Sequence, residues 1–298
     1  MNPSPREGPA RARDPGEPAV GPDPGRRTSG DPADGASGVP ERHWAPVVAN
    51  TEVAEETWWL ELESPAIAAR SVPGQFLMIG FGLENTGAPF LPRPFSVGWR
   101  SEDGRVGLLL RAFGAGTRRM SRLRPGDRAL LLGPLGRPFR VDHDRPLLCV
   151  AGGVGLAPFI FLAGDARARG AEVSLLYGER SGARVFDTAL LEELTGGPVE
   201  VWTEDGARGR QGLVLEGIDL ADDPQLMGCG PDPMLHALAG FTRERGVEVQ
   251  VSVEEHMGCG VGTCQGCVVP GADGRWIKSC VEGPVFRASD LAWEGAGG

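Results

Sequence analysis

Cys259, Cys264, Cys267 and Cys280 fall within twenty-two residues, with four, two and twelve residues between successive members. A chain that brings four sulfurs to one point cannot run through them as a helix or strand. It has to wrap as a loop and close from a separate turn, which is how thiolates cage a [2Fe-2S] cluster. The run Gly258-Cys259-Gly260-Val261-Gly262-Thr263-Cys264-Gln265-Gly266-Cys267 alternates these cysteines with glycines, whose missing Cβ admits φ > 0 and lets backbone N–H groups approach a small anionic object. Two other uses of cysteine compete. Structural zinc takes its thiolates as closely spaced pairs, and only Cys264 and Cys267 make one. Disulfides belong to oxidising compartments, and the first residues carry no apolar signal segment. The spacing favours the cluster, with zinc and disulfides as the remaining alternatives.

The 298 residues exceed the usual span of one hydrophobic core, so a multi-domain chain is expected. Residues 1–42 are dominated by Pro, Gly, Asp, Arg and Ala, with hardly a large apolar side chain before Val39, and are expected to form a disordered tail. A formal net charge of −10 argues against non-specific binding to nucleic acid or to an anionic membrane. No apolar run approaches the length of a transmembrane helix, and the expectation is a soluble cytoplasmic protein.

Between residues 43 and 143 apolar residues recur with period two and turns are frequent. Segments 44–63, 75–79, 94–99 and 106–113 read as strands, the last two joined across residues 100–105 with an Asp103-Gly104 turn signal. Many short strands without intervening helices predict a small antiparallel β-barrel. Within it Arg93-Pro94-Phe95-Ser96 supplies a cation, a rigid turn and a hydroxyl. Gly114-Ala115-Gly116-Thr117 precedes a short helix predicted over 118–123, whose N-terminal N–H groups would face a phosphate. A strand over 129–132 and the turn Gly133-Pro134-Leu135-Gly136 mark the exit.

Residues 144–247 change period. Pro146-Leu147-Leu148-Cys149-Val150-Ala151 is an unbroken apolar strand of the kind covered on both faces, and it enters Gly152-Gly153-Val154-Gly155-Leu156-Ala157-Pro158 and a helix to about residue 169. Strand, glycine turn and helix place a dinucleotide pyrophosphate on a helix N-terminus, although the glycines depart from the Gly-x-Gly-x-x-Gly spacing. Segment 173–178 reads as the second parallel strand. Leu226 to Cys229 reads as a later one, and Gly230-Pro231-Asp232-Pro233 opens a helix with proline near its start. Cys229 lies at a strand's carboxyl end, where ligands bind in such sheets, whereas Cys149 reads as core. Thr203-Glu204-Asp205-Gly206 reads as a solvated turn. Glu179 would repel a 2′-phosphate while Arg180 and Arg184 would attract one, which leans to NADH over NADPH. His43, His143, His236 and His256 are too scattered to form a ligand set.

In this order, the barrel, the nucleotide domain and the short cysteine module resemble the ferredoxin reductase superfamily. Ser252-Val253-Glu254-Glu255-His256-Met257 followed by the Gly258–Cys264 run resembles the cluster loop of the electron-transfer subunits of bacterial dihydroorotate dehydrogenases. The resemblance covers about residues 43–287 and is specific at the cysteines. It implies an FAD-binding barrel (43–143), an NAD-binding α/β domain with a parallel sheet (144–247) and a [2Fe-2S] module (248–298) with Cys259, Cys264, Cys267 and Cys280 as iron ligands. Arg93, Pro94, Phe95 and Ser96 would contact the flavin, with the Ser96 hydroxyl near its redox-active edge, and Gly116 and Thr117 would hold its pyrophosphate. Gly152, Gly153, Gly155, Gly230 and Pro231 would bind the nicotinamide cofactor, with Cys229 near the nicotinamide.

The implied activity is a relay. An FMN-containing catalytic subunit oxidises dihydroorotate, and electrons pass through the cluster and FAD of this chain to NAD+, in an assembly of two plus two subunits. The chain departs from the family pattern in its proline- and glycine-rich amino-terminal extension, in His256 where a cation is expected, and in Arg137-Pro138. Trp276, Ile277, Val285 and Phe286 offer apolar area either to a partner or to the module's own core. Two further readings stay open: an NAD(P)H-dependent flavin/iron–sulfur reductase serving another oxidoreductase or an oxygenase, and a redox sensor without turnover. A co-purifying FMN subunit separates the relay from the other reductase, and reduction of bound FAD by NADH excludes the sensor.

Overall fold

The computed structural model describes residues 39–81 and 91–293. Of the tail expected over 1–42, residues 1–38 lie outside the described part, while Glu41 and Arg42 already belong to the first strand, in register with Gly133 and Leu132.

Seven strands pair antiparallel: β1 (Glu41–Ala54), β2 (Thr57–Glu63), β3 (Phe76–Gly80), β4 (Arg93–Ser96), β5 (Trp99–Arg100), β6 (Arg105–Arg111) and β7 (Arg128–Leu135), in the order β4-β3-β7-β1-β2-β6-β5. The long β1 pairs with β7 through its first half and with β2 through its second, which curls the sheet. Val106, Leu108 and Leu110 of β6 join Leu60, Leu62 and Leu77 in the enclosed core, each such burial being worth about 1.5–3 kcal/mol. The expected closed barrel is instead a curled half-barrel, with no ladder between edge strands β4 and β5 among the described residues. The reason lies at the seam. Only Val97 and Gly98 separate the two edges, and their N–H groups donate to the carbonyls of Gln75 and Gly107, both at 2.9 Å. These bonds carry the chain from one edge to the other instead of turning it back into a hairpin.

Two short helices interrupt this sheet. The first, α1 (Pro65–Arg70), was not anticipated; its proline occupies the first turn, where a missing N–H costs nothing. The second, α2 (Ala115–Met120), starts earlier than the predicted 118–123. Its start is set by the Thr117 hydroxyl, which accepts from the N–H groups of Phe113 and Gly114 at 3.1 and 3.0 Å.

The second sheet contains β8 (Leu147–Gly152), β9 (Val173–Glu179), β10 (Glu200–Thr203), β11 (Arg210–Gln211), β12 (Gln225–Cys229) and β13 (Val249–Ser252), all parallel. Helices α3 (Ala157–Ala168) and α4 (Thr188–Thr195) pack together, and α5 (Asp232–Arg245) serves the other core. Leu147, Cys149 and Ala151 cluster with Phe159, Ile160 and Ala163 of α3, whereas Leu148 and Val150 cluster with Leu235 and Leu238 of α5. That division explains why β8 is apolar at every position.

The cysteine region holds a ribbon, β14 (Val268–Pro270) with β15 (Trp276–Lys278), a turn of helix α6 (Ser279–Glu282), and β16 (Val285–Arg287). β16 pairs antiparallel with β13, Val251 opposite Phe286, giving the order β11-β10-β9-β8-β12-β13-β16. The sheet expected to be parallel is thus mixed, with β16 added antiparallel at its edge after the cysteine loop. Both β13 and β16 lie in the segment 248–298 that was expected to stand apart, so the cysteine loop is an excursion from the nucleotide sheet's edge. Among the described residues no helix is long and apolar enough to cross a membrane.

Candidate functional site

On the half-barrel, the residues of interest lie on edge strand β4, with Ser96 opposite Phe76 and Pro94 opposite Met78. An edge is where a strand tolerates a residue without an N–H. Phe95 leans into the half-barrel core. The Arg93 guanidinium donates to the Leu91 carbonyl at 2.8 Å and lies where a Cβ on Gly116 would stand. Arg93 and Gly116 thus meet because residue 116 has no side chain. Thr117 is buried with its hydroxyl committed to the turn before α2, which leaves the first N–H groups of α2 without an intrahelical acceptor.

The strand order reverses between β8 and β12, the crevice in which open α/β sheets bind ligands. Here the two glycine turns meet. A Cβ on Gly155 would overlap the Cys229 carbonyl, one on Gly152 would stand 3.0 Å from Pro231 Cδ, and one on Gly230 would stand 3.0 Å from the Gly152 nitrogen. Gly153 turns the chain at φ +58°. Cys229 is buried at the crevice floor. Burial, then the Glu254 charge, raises its pKa well above the usual thiol value against an opposing hydrogen bond from Ser252, so it is a neutral thiol. Burial likewise pushes Cys149 up to about 12, in keeping with its place in the core.

An ion pair closes this crevice from the half-barrel side. Arg111 Nη2 lies 2.5 Å from Glu179 Oε1, with side-chain exposures of 18% and 3%, and the Tyr177 hydroxyl donates to the same oxygen at 3.2 Å. A Cβ on Gly153 would stand 3.7 Å from Arg111 Nη1 and 3.8 Å from Glu179 Oε1. Glu179 is therefore not the free carboxylate expected to repel a 2′-phosphate, and Arg184 is drawn to Glu55 and Glu56 at 3.7 and 3.6 Å. Glu254 is exposed. Desolvation of its carboxyl by nearby protein, then the Asp232 charge, raises its pKa, with Arg111 opposing.

In the cysteine loop, Cys259 Sγ accepts from the N–H groups of Val261 and Cys264 at 3.4 and 3.5 Å. Burial pushes this thiol up, but those N–H groups outweigh it and bring the pKa down to about 7. Burial, then the neighbouring Cys267 thiol, pushes Cys280 up to about 12. Cys267 and Cys280 are buried, Cys259 is half-buried and Cys264 is exposed. Gly260, Gly262 and Gln265 take φ of +74°, +80° and +56°, the left-handed turns that wrap the loop. Among the described residues, no three His, Cys, Asp or Glu side chains are already gathered for a metal ion. The residues nonetheless fit a [2Fe-2S] group: three thiols in one loop and a fourth on α6, N–H groups aimed at sulfur, and a buried Ser279 hydroxyl without a partner among the described residues.

The cage is seated on the half-barrel. Cys267, Cys280 and Met257 form one apolar cluster with Phe76 and Met78 of β3 and Leu135 of β7. A Cβ on Gly260 would come within 2.5 Å of Met78 Cγ. Phe76 is also the register partner of Ser96, so one strand separates the cysteine cage from the strand that carries Arg93 and Ser96.

Residues 254–292 match the iron-sulfur cluster binding domain of dihydroorotate dehydrogenase B. The dihydroorotate dehydrogenase B (NAD(+)), electron transfer subunit of Geobacillus thermodenitrificans is 39% identical over 255 residues, 82% of this chain and 96% of that protein. The chain belongs to this family of electron transfer subunits. The corresponding protein of Desulforamulus reducens is 35% identical over 259 residues, 84% of this chain and 98% of that one. Among solved structures, a chain of the NADH-dependent reduced ferredoxin-NADP oxidoreductase aligns with a TM-score of 0.74 at 26% identity, covering 87% of this chain and 92% of that one. The ferredoxin reductase in carbazole 1,9a-dioxygenase shares the fold, with a TM-score of 0.60 at 23% identity over 71% of this chain and 68% of that one. The family match resolves the choice among cluster, zinc and disulfides in favour of iron–sulfur, and the cysteines form no disulfide.

Three residues of this electron transfer subunit escaped sequence reasoning. Arg111 ends β6 as an ordinary strand-terminal cation, and its partner is 68 positions away. Glu254 was legible in principle, since it follows the carboxyl end of β13 almost directly. Ser279 precedes a cysteine and carries no signal beyond that. The apolar group around Cys280 divides: Ile277, Val285 and Phe286 are buried core, while Trp276 is 69% exposed.

Proposed function

We propose that this chain carries electrons from an FMN-containing dihydroorotate dehydrogenase catalytic subunit to NAD+ for pyrimidine biosynthesis. The observation that supports it best is the seating of the cysteine cage on β3, directly beside β4. Bound FAD exchanges one or two electrons and so links a one-electron [2Fe-2S] carrier to a two-electron nicotinamide. Each remaining task falls to a residue of this chain. Cys259, Cys264, Cys267 and Cys280 hold iron; Arg93 and Ser96 bind the flavin, with Pro94 and Phe95 fixing their strand; Gly116 and the turn held by Thr117 admit its phosphates. Gly152, Gly153, Gly155, Gly230 and Pro231 leave room for the dinucleotide, and Cys229, a neutral thiol, packs beside the nicotinamide without acting as a nucleophile.

The flavin part extends to about residue 140, the nucleotide part over 146–253 with β16, and the cluster part over 254–292. Exposed Val261 and Val281 beside the cage suit the approach of the catalytic subunit, in an assembly of two copies of each chain located in the cytoplasm.

The deciding experiment is dihydroorotate-dependent NAD+ reduction by the anaerobically purified complex and by each chain alone. Activity in the complex only, with FAD and iron on this chain, is the expected outcome. A cofactor-loaded complex that oxidises NADH but ignores dihydroorotate would replace the partner. Arg93→Ala, which withdraws the cation lying against Gly116, is expected to release FAD on desalting, read as loss of flavin absorbance; unchanged flavin content rejects that role for Arg93.

A further inference from the structure

Three buried side-chain polar atoms lack a hydrogen-bond partner among the described residues: Asn50 Oδ1, Arg70 Nε and Ser279 Oγ. The first two belong to side chains that are otherwise engaged. The Asn50 amide donates to the carbonyls of Met120 and Leu123, and the Arg70 guanidinium donates to Glu41 and the Val39 carbonyl. Ser279 differs, because its hydroxyl is its whole polar side chain and the residue is 0% exposed. A buried hydroxyl left without a partner is costly, and such groups almost always meet protein, water or a bound group.

The surroundings narrow the partner. Ser279 is peptide-bonded to Cys280, its N–H donates to the Cys267 carbonyl at 3.0 Å, and its own carbonyl accepts from the Gly283 N–H at 3.1 Å. Its backbone is therefore fully used, and it ties together the segments bearing the two buried thiols. Cys259 sulfur has two N–H donors and Cys280 has the Gly262 N–H, and the Ser279 hydroxyl, next to Cys280 in sequence, is a further buried donor without a partner among the described residues.

We propose that the Ser279 hydroxyl donates a hydrogen bond to sulfur of the bound [2Fe-2S] cluster, either a bridging sulfide or a ligating thiolate, and thereby raises the cluster's reduction potential. The inference rests on the assignment of Cys267 and Cys280 as iron ligands. A donor on sulfur stabilises the reduced cluster, which carries one more negative charge, more than the oxidised one. Ser279 is a positioning and tuning residue and touches no substrate.

The test is redox titration of the cluster by electron paramagnetic resonance in the full chain with FAD bound and its catalytic partner present, for wild type, Ser279→Ala and Ser279→Thr. Alanine is expected to lower the ratio of reduced to oxidised cluster at fixed poise about tenfold, which for a one-electron couple is a shift of about 59 mV to more negative potential. Threonine, which keeps the hydroxyl, is expected to restore the wild-type value. An unchanged potential in alanine, or equal shifts in alanine and threonine, overturns the proposal. If alanine does not load a cluster, loading by threonine but not by the isosteric Ser279→Val supports it, and failure of all three overturns it. Absence of any [2Fe-2S] signal in the wild-type chain would instead overturn the ligand assignment, so the two failures are distinguishable.

Discussion

Serine in place of Cys264 is expected to abolish the visible [2Fe-2S] spectrum while FAD remains bound. Dihydroorotate-dependent NAD+ reduction should fall more than about 100-fold, the upper range for disturbing even the shell around a metal's ligands. Cys264 is the exposed member of the set, so its replacement removes a soft ligand without opening a core. Strand β4 and helix α2, proposed to bind the flavin, do not involve it, so NADH should still reduce the flavin and an artificial acceptor. Iron content, visible circular dichroism and flavin absorbance measured on one sample separate these effects, and an intact iron–sulfur spectrum would remove Cys264 from the ligand set. Cys267→Ser or Cys280→Ser should cost stability as well, about 1–3 kcal/mol, because each places a hydroxyl among Phe76, Met78 and Leu135.

Arg111→Met is expected to destabilise the chain by about 3–5 kcal/mol, the cost of leaving a buried charge uncompensated. Glu179 is 3% exposed in its side chain and retains only the Tyr177 hydroxyl once the guanidinium is gone. The double variant Arg111→Met, Glu179→Gln should recover most of that loss, since both charges then leave together. Denaturant unfolding of the two single variants and the double variant gives the coupling directly. Additive losses would mean that the pair contributes nothing as a pair. Because Gly153 lies against both side chains, the single variant should also weaken NADH binding, and a titration followed by flavin reduction reads it.

The glycine turn Gly152–Gly155, the cysteine spacing and the unbroken apolar β8 were legible because each encodes a local demand: a missing Cβ, a ligand interval, a strand covered on both faces. The start of α2 was misplaced because the Thr117 hydroxyl reaches back to Phe113 and Gly114, a side-chain cap that periodicity does not register. The half-barrel's open seam escaped because two residues, Val97 and Gly98, perform the edge crossing. The parallel expectation fails at one edge because β16 follows the cysteine loop in sequence and carries no local sign of returning to β13.

By itself, the sequence determined the three kinds of part and their order, along with the cysteine spacing proposed to hold iron and the glycine turns proposed to leave space for phosphate. These follow from the chemistry of individual side chains at short spacing. Only the tertiary structure decided that Glu179 is neutralised by Arg111, that the cage rests on β3 beside Ser96, and that Ser279 is left with an unused donor. Each depends on surfaces meeting across long separations in sequence, where burial and the return path of the chain, rather than local pattern, choose the partners.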